Sequence, residues 1–165
     1  MFQVTKSLLW LPLYFLFLYL VIRQHGWNTI WVVLFAAIMI LVSDQLANLF
    51  KETFLRLRPS HEPGLMVHLV NAYKGGTYGF YSSHASNTFA IAVFLMVLIG
   101  RRYRWIGIVA LPWALLMSYT RIYLGVHFPG DILAGIVMGG AIGYLSGRTT
   151  CYFLFHRSRH SRSQQ

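Results

Sequence analysis

The sequence predicts an all-α integral membrane bundle of about five helices, and three observations carry this prediction. The chain of 165 residues is 56% hydrophobic and only 11% charged. Soluble domains carry roughly a quarter charged residues, so this chain cannot cover a water-facing surface in the usual way. Its apolar residues gather into five long stretches. None of them alternates polar and apolar residues at every second position, as the strands of a membrane barrel would.

The five apolar stretches are the expected membrane spans, because a helix satisfies its own backbone hydrogen bonds inside lipid. The first is short for a spanning helix. No small-residue cleavage site follows it, so a retained helix is expected rather than a signal peptide. The expected spans are residues 7–22, 29–50, 85–100, 105–119 and 132–146.

The remaining chain divides into an outer loop and a tail. Residues 51–83 are rich in proline and glycine and are expected to fold outside the membrane, between the second and third spans. We expect one membrane domain over residues 1–147, with its motif core at 51–131, and a basic cytoplasmic tail over residues 148–165.

Polar and small residues inside the spans carry two further expectations. Asp44 lies in the second span, where a carboxylate is costly and often functional. It lies one turn from Asn48, so a hydrogen-bonded structural role is an equal alternative. In the fifth span a glycine at every fourth position favours close packing within the bundle over dimerisation, and the oligomeric state is not predicted. These glycines are Gly135, Gly139, Gly143 and Gly147.

The charge balance indicates the kind of partner. The formal net charge is +10, and the basic residues stand at the ends of apolar runs rather than on one polar face. This placement argues against nucleic acid and favours the bilayer and a phosphate-bearing substrate. Cys151 is the single cysteine, which excludes an intrachain disulfide and a cysteine zinc site.

The basic residues also predict an orientation. The alternation of five spans puts the outer loop and the turn at 120–130 on one face. If Lys51, Arg58 and Arg121 serve chemistry, the other lysines and arginines concentrate on the opposite face. The positive-inside rule then places that face and the C-terminus in the cytoplasm. The outer loop would face the periplasm or cell exterior, in a bacterial inner membrane.

Three separated segments at the outer boundary carry candidate functional residues. The cations Lys51, Arg58 and Arg121 would repel one another unless a multiply charged anion offsets them, and a phosphate fits arginine's planar fork. Ser82, Ser83 and the backbone N–H groups that open the third helix supply further donors.

Two histidines and a carboxylate complete this set. His127 and Asp131 stand four positions apart at a helix start, so the carboxylate can fix the ring's tautomer and leave the other nitrogen free to attack phosphorus. His84 can then protonate the departing oxygen. Taken singly, each residue is more often a polar anchor or a snorkelling cation, but the whole set on one face favours catalysis.

The three segments resemble the signature of the type-2 phosphatidic-acid phosphatase superfamily, which includes vanadium haloperoxidases. Its first element, Lys-x6-Arg-Pro, is complete at Lys51, Arg58 and Pro59. Its second element is Pro-Ser-Gly-His, and here the segment 81–84 reads Tyr-Ser-Ser-His. Its third element, Ser-Arg-x5-His-x3-Asp, is complete except that Thr120 replaces the serine. Membrane members commonly have six spans, one more than expected here.

This resemblance implies a role for each matching residue. His127 would be the nucleophile, Asp131 its orienting carboxylate and His84 the general acid. No cofactor or metal is implied, so activity in EDTA and inhibition by vanadate are expected. The phosphate would be held by Lys51, Arg58, Ser82, Arg121 and the backbone N–H of Ser83.

The expected function is a lipid phosphate or lipid pyrophosphate phosphatase that works through a phosphohistidine. Undecaprenyl pyrophosphate is the first candidate substrate. Phosphatidylglycerol phosphate, phosphatidic acid and the phosphates of lipid A are also implied by the resemblance. A lipid phosphotransferase and a non-catalytic lipid-binding membrane protein are the alternatives. A vanadium haloperoxidase is disfavoured, because those members of the family are soluble and this chain is expected to lie in a membrane.

Four polar residues of the outer loop are expected to be solvated, with headgroup recognition as the second possibility. Their spacing matches no common zinc site. They are His61, Glu62, His68 and Lys74.

Overall fold

The computed structural model describes residues 7–65 and 73–162, so His68 lies outside the described residues. Within these ranges the chain is built from five α-helices and short 3-10 turns, with a single isolated β-bridge. The predicted all-α class is therefore confirmed. The helices are α1 (Leu11–His25), α2 (Thr29–Phe54), α3 (Ser83–Ile99), α4 (Ile106–Tyr123) and α5 (Pro129–Arg162).

The first two helices form a hairpin. The chain reverses at Gly26, whose φ of 53° is a conformation that glycine adopts without a steric penalty. Val21 of α1 and Val32 of α2 line one cavity near this turn. Tyr14 and Asp44, farther from the turn, line another. The two helices therefore run antiparallel.

Three helical stretches of the described residues are long and apolar enough to cross a membrane. They are Leu11–Phe54, which contains the α1–α2 hairpin, Ile106–Tyr123 and Pro129–Arg159. Helix α3 is apolar but has 17 residues, fewer than the roughly 20 that a spanning helix needs. The count of five spans stays a prediction.

Helix α3 is the centre of the bundle and packs most extensively against α5. Their backbones approach closely where α5 carries glycine. A Cβ atom at Gly135 would lie 2.7 Å from the carbonyl oxygen of Ser82. At Gly139 and Gly143 a Cβ atom would overlap the carbonyl oxygens of Ser86 and Ala90. The expected packing of the glycine face inside the bundle is confirmed.

Helix α5 extends well past the expected end of the fifth span and remains helical to Arg162. Beyond that expected end, the ring of Phe153 packs against Trp31 and Phe35, with centroid distances of 5.1 and 5.5 Å. Arg157 lies over the Trp31 ring at 5.0 Å. The expected basic tail therefore begins as a helix, because aromatic packing on α2 holds its first turns.

Candidate active site

The first site segment leaves α2 through a left-handed cap. Leu55 has a φ of 48°, and its N–H donates to the carbonyl of Lys51 at 3.1 Å. The chain then pairs antiparallel with the end of the outer loop, through a bridge between Leu57 and Tyr78. The Nε of Arg58 donates to the Tyr78 carbonyl at 3.0 Å. This pairing carries the first segment back toward the start of α3.

The second segment caps α3 and is tied to α5. Ser82 is buried, and its hydroxyl accepts a long hydrogen bond of 3.4 Å from the Ala85 N–H. The Ser82 N–H donates to the Asp131 carbonyl at 3.1 Å. The Ser83 hydroxyl accepts from Lys51 Nζ at 2.7 Å. The starts of α3 and α5 and the end of α2 therefore meet at one place.

The third segment turns from α4 into α5. Gly125, with a φ of 68°, permits the turn that places His127 just before the helix. Asp131 is fully buried in the first turn of α5, and its Oδ2 accepts from the Phe128 N–H at 2.9 Å. This bond satisfies an N–H group that the helix start leaves free.

Five charged or titratable residues predicted for the site lie close together, because His84 is within electrostatic reach of the other four. Arg121 is 6% exposed, and its buried Nε has no hydrogen-bond partner among the described residues. The His84 side chain remains exposed. This geometry matches the predicted constellation, while the role of each residue stays a prediction. The five are Lys51, Arg58, His84, Arg121 and His127.

His127 is buried beside Asp131. Its Nδ1 lies 3.5 Å from Asp131 Oδ2, longer than a usual N–H···O hydrogen bond. Burial lowers the pKa of His127 below 6.5, and the cations Arg58 and Lys51 lower it further, while the Asp131 carboxylate opposes them. The imidazole is therefore neutral at pH 7, the form in which it can act as a nucleophile.

Arg56 is a site residue that the sequence did not indicate. Its Nη1 lies 2.9 Å from Asp131 Oδ1. Its guanidinium lies 4.7 Å from the centre of the Phe128 ring. The buried carboxylate is thereby held on both oxygens. The signal available in the sequence was proximity alone, since Arg56 belongs to the same short segment as Arg58.

Gly79 is the second residue that the sequence did not mark as part of the site. A Cβ atom there would lie 3.0 Å from Arg58 Cγ, 3.4 Å from Asp131 Oδ2 and 3.6 Å from His127 Nδ1. The absence of a side chain therefore lets the outer loop close directly over the histidine–aspartate pair.

The outer-loop residues proposed for headgroup recognition are less closely connected to this centre. The Ser60 hydroxyl lies 3.1 Å from His61 Nδ1 and donates to the Lys74 carbonyl at 2.7 Å. Glu62 is exposed and lines a separate surface cavity with Arg56. Among the described residues, no group of three or more His, Cys, Asp or Glu side chains is placed to hold a metal ion.

A buried histidine–aspartate pair, a second histidine and converging cations at one end of an apolar bundle are typical of a membrane protein that processes phosphate groups. Residues 31–155 match the model of the PAP2 superfamily, and the chain belongs to that superfamily.

Curated relatives and a solved structure agree with this assignment. A lipid A 4'-phosphatase of Bacteroides thetaiotaomicron is 39% identical over 158 residues, covering 93% of this chain and 67% of that protein. A lipid A 4'-phosphatase of Porphyromonas gingivalis is 39% identical over 126 residues, covering 73% and 50%. The chain therefore spans between half and about two thirds of these relatives.

The solved structure is a crystal structure of a transmembrane PAP2-type phosphatidylglycerolphosphate phosphatase from Bacillus subtilis. It is similar with a TM-score of 0.61 over 87% of this chain and 70% of that one, at 24% identity, and this likeness concerns the fold. The predicted superfamily, the phosphatase class and the integral membrane location are confirmed. The lipid, the covalent intermediate and the orientation stay predictions.

Proposed function

We propose that the chain removes phosphate from a membrane lipid through a phosphohistidine formed on His127. The observation that carries the proposal is the buried His127–Asp131 pair, together with the buried Arg121, whose Nε lacks a partner among the described residues. A buried N–H without an acceptor is costly, and a phosphate oxygen would satisfy it. Lys51 and Arg58 add the charge that a bound dianion requires.

The first chemical step exchanges one bond to phosphorus for another. The neutral His127 imidazole forms an N–P bond as the bond from phosphorus to the lipid oxygen breaks. His84 gives that oxygen its proton, and Asp131 stabilises the imidazolium. The surrounding cations match the charge of the transferring group. In the second step water attacks the phosphohistidine, His84 takes the water's proton, and inorganic phosphate is released.

A phosphomonoester is the first candidate substrate. The relatives that cover most of the chain are named lipid A 4'-phosphatases, which favours a phosphate on such a lipid over undecaprenyl pyrophosphate. Undecaprenyl pyrophosphate, the first candidate from the sequence, becomes the second candidate substrate. The substrate reaches the site from the bilayer, because the site lies at the end of an apolar bundle.

The proposed location is a bacterial inner membrane, with the site facing the periplasm or exterior. Arg101, Arg102 and Arg104 lie in the turn between α3 and α4, away from the site, and the positive-inside rule supports a cytoplasmic position for that end. The C-terminal end of α5 would share that side.

Phosphate release from a panel of lipid phosphates tests the proposal. The detergent-purified protein would be assayed in EDTA, alongside His127→Ala and the matched control His156→Ala, which removes an exposed histidine from the far part of α5. Release by the wild type and the control, and none by His127→Ala, is the expected result. Absence of release from every lipid would contradict the proposal, and phosphate recovered only on an acceptor lipid would indicate phosphotransfer.

A further inference from the structure

A cavity of about 320 Å³ leads from the proposed acid into the bundle. At the site end it is lined by Ser83, His84 and Arg121. It follows one face of α3 as far as Ile91, roughly 10 Å at 1.5 Å per residue. Met117 of α4 also lines it. The cavity thus connects the phosphate-binding end with the apolar interior.

The position of His84 decides what this cavity holds, provided that the proposed function is correct. A general acid must lie within hydrogen-bond reach of the oxygen that it protonates. The leaving oxygen therefore lies on the His84 side of phosphorus, and the group attached to it extends into the adjoining cavity. The cavity is where the leaving group is held.

A carboxylate stands in the wall of this cavity. Asp44 Oδ1 accepts a hydrogen bond of 2.8 Å from Asn87 Nδ2, and both residues line the cavity. No described residue donates a hydrogen bond to Asp44 Oδ2. A carboxylate within a helical stretch that is apolar enough to cross a membrane is costly, so its presence there points to a function. A negative charge near a phosphate site also opposes anion binding, which makes a role in holding the scissile phosphate implausible.

We propose that Asp44, fixed by Asn87, forms a leaving-group subsite that selects uncharged alcohols and disfavours anionic leaving groups. A phosphomonoester releases an alcohol. This alcohol is neutral because His84 has protonated its oxygen, and its hydroxyl can donate a hydrogen bond to a carboxylate. A lipid diphosphate instead breaks its P–O–P bridge and releases a lipid monophosphate, which is an anion. That anion would stand in the same cavity as the Asp44 carboxylate.

The cations near the site end of the cavity do not remove this preference for uncharged over anionic leaving groups. In the proposed function Arg121 offsets the charge of the transferring phosphate, and His84 becomes neutral once it has given up its proton. Asp44 is therefore the charge that remains to face the leaving group. Lys51 lies within electrostatic reach of Asp44, but the proposed function assigns its charge to the transferring phosphate, which both substrate classes share.

The test compares two substrates with one lipid chain, farnesyl phosphate and farnesyl diphosphate, by kcat/KM for release of phosphate. The wild type is expected to favour the monophosphate. Asp44→Asn keeps the side chain's size and an acceptor oxygen, and should raise the diphosphate-to-monophosphate ratio at least about tenfold, as expected for loss of one nearby charge. The matched control, Glu52→Gln, removes a charge from an exposed position of the same helix and should leave the ratio unchanged.

Three results would overturn the subsite. They are a wild-type preference for the diphosphate, an unchanged ratio in Asp44→Asn, or an equal change in Glu52→Gln. The first needs no variant, so the proposal stays testable even if Asp44→Asn does not fold. Failure of the proposed function is distinguishable, because the wild type would then release no phosphate from either substrate, or His127→Ala would release it equally well.

Discussion

Arg56 Nη1 lies 2.9 Å from Asp131 Oδ1, and this ion pair joins a half-exposed cation to a fully buried carboxylate. The other oxygen, Oδ2, accepts from the Phe128 N–H and faces His127 Nδ1. Asp131, which is proposed to orient His127, is therefore itself held in position by Arg56 at the outer surface of the site. The pair is partly exposed, so its effect lies in positioning and charge balance more than in stability.

Removal of the Arg56 charge should change the pH dependence of activity. In Arg56→Gln the Asp131 charge is less balanced, so it raises the pKa of His127 more strongly. The acid limb of kcat/KM should move to higher pH, and kcat should fall severalfold. Arg56→Lys should restore much of both. A variant whose acid limb coincides with that of the wild type would contradict this positioning role.

The wild-type acid limb itself is predicted from the environment of His127. Burial lowers the pKa of this histidine below 6.5, so the nucleophile stays neutral as the pH falls to 6.5 and is lost only below it. The limb of kcat/KM should therefore lie below pH 6.5. A stopped assay over pH 4.5–8 measures it, with two substrates of different phosphate pKa separating enzyme from substrate ionisation. A limb above pH 6.5 that is common to both substrates would disprove the assignment.

The proposed acid role of His84 predicts dependence on the leaving group. His84→Gln should lower kcat/KM for a lipid monoester by about 10²–10⁴-fold, because an alkoxide would have to leave without its proton. With p-nitrophenyl phosphate the leaving group needs no proton, so the loss in kcat/KM, which reports the first chemical step, should be much smaller. Equal losses on both substrates would assign His84 to binding rather than to proton transfer.

The two histidines also differ in covalent chemistry. We expect labelled phosphate to be trapped on the wild type as an acid-labile, base-stable adduct. His84→Gln should trap more of this adduct if the substitution slows hydrolysis of the phosphohistidine more than its formation. His127→Ala should trap none. Label retained by His127→Ala would place the nucleophile elsewhere.

Gly79 should be intolerant of a side chain. In Gly79→Ala the new methyl would lie 3.0 Å from Arg58 Cγ and 3.4 Å from Asp131 Oδ2, so the loop or the carboxylate must move. We expect at least a tenfold loss of kcat/KM, of the order caused by small misplacements of catalytic groups. Gly76→Ala is the matched control, since its nearest neighbour would be 3.9 Å away. Equal activity of the two variants would show that the loop is free to adjust.

The sequence indicated those parts of the fold and site that depend on local patterns. Apolar runs located the helices, and ordered spacing located the His127–Asp131 pair. Arg56 and Gly79 were missed because their roles depend on pairing between residues 55–58 and 77–79, which no local pattern reveals. The end of α5 was missed for a related reason. Its basic residues resemble a tail, whereas contacts of Phe153 with α2 support a helix there.

Adjacent glycines of α5 give a direct test of the bundle's central contact. In Gly139→Ala the new Cβ atom would overlap the Ser86 backbone of α3, so the helices must separate or shift. Overpacking of this kind costs about 1–3 kcal/mol. Gly140→Ala meets nothing within 4 Å and should stabilise the helix slightly, since alanine has the higher helix propensity. Thermal unfolding in detergent should therefore rank Gly139→Ala below the wild type and Gly140→Ala at or above it. Because α3 and α5 carry His84 and Asp131 on their first turns, Gly139→Ala should also lose activity before it unfolds. The reverse order of stability would mean that α3 and α5 do not pack through this glycine face.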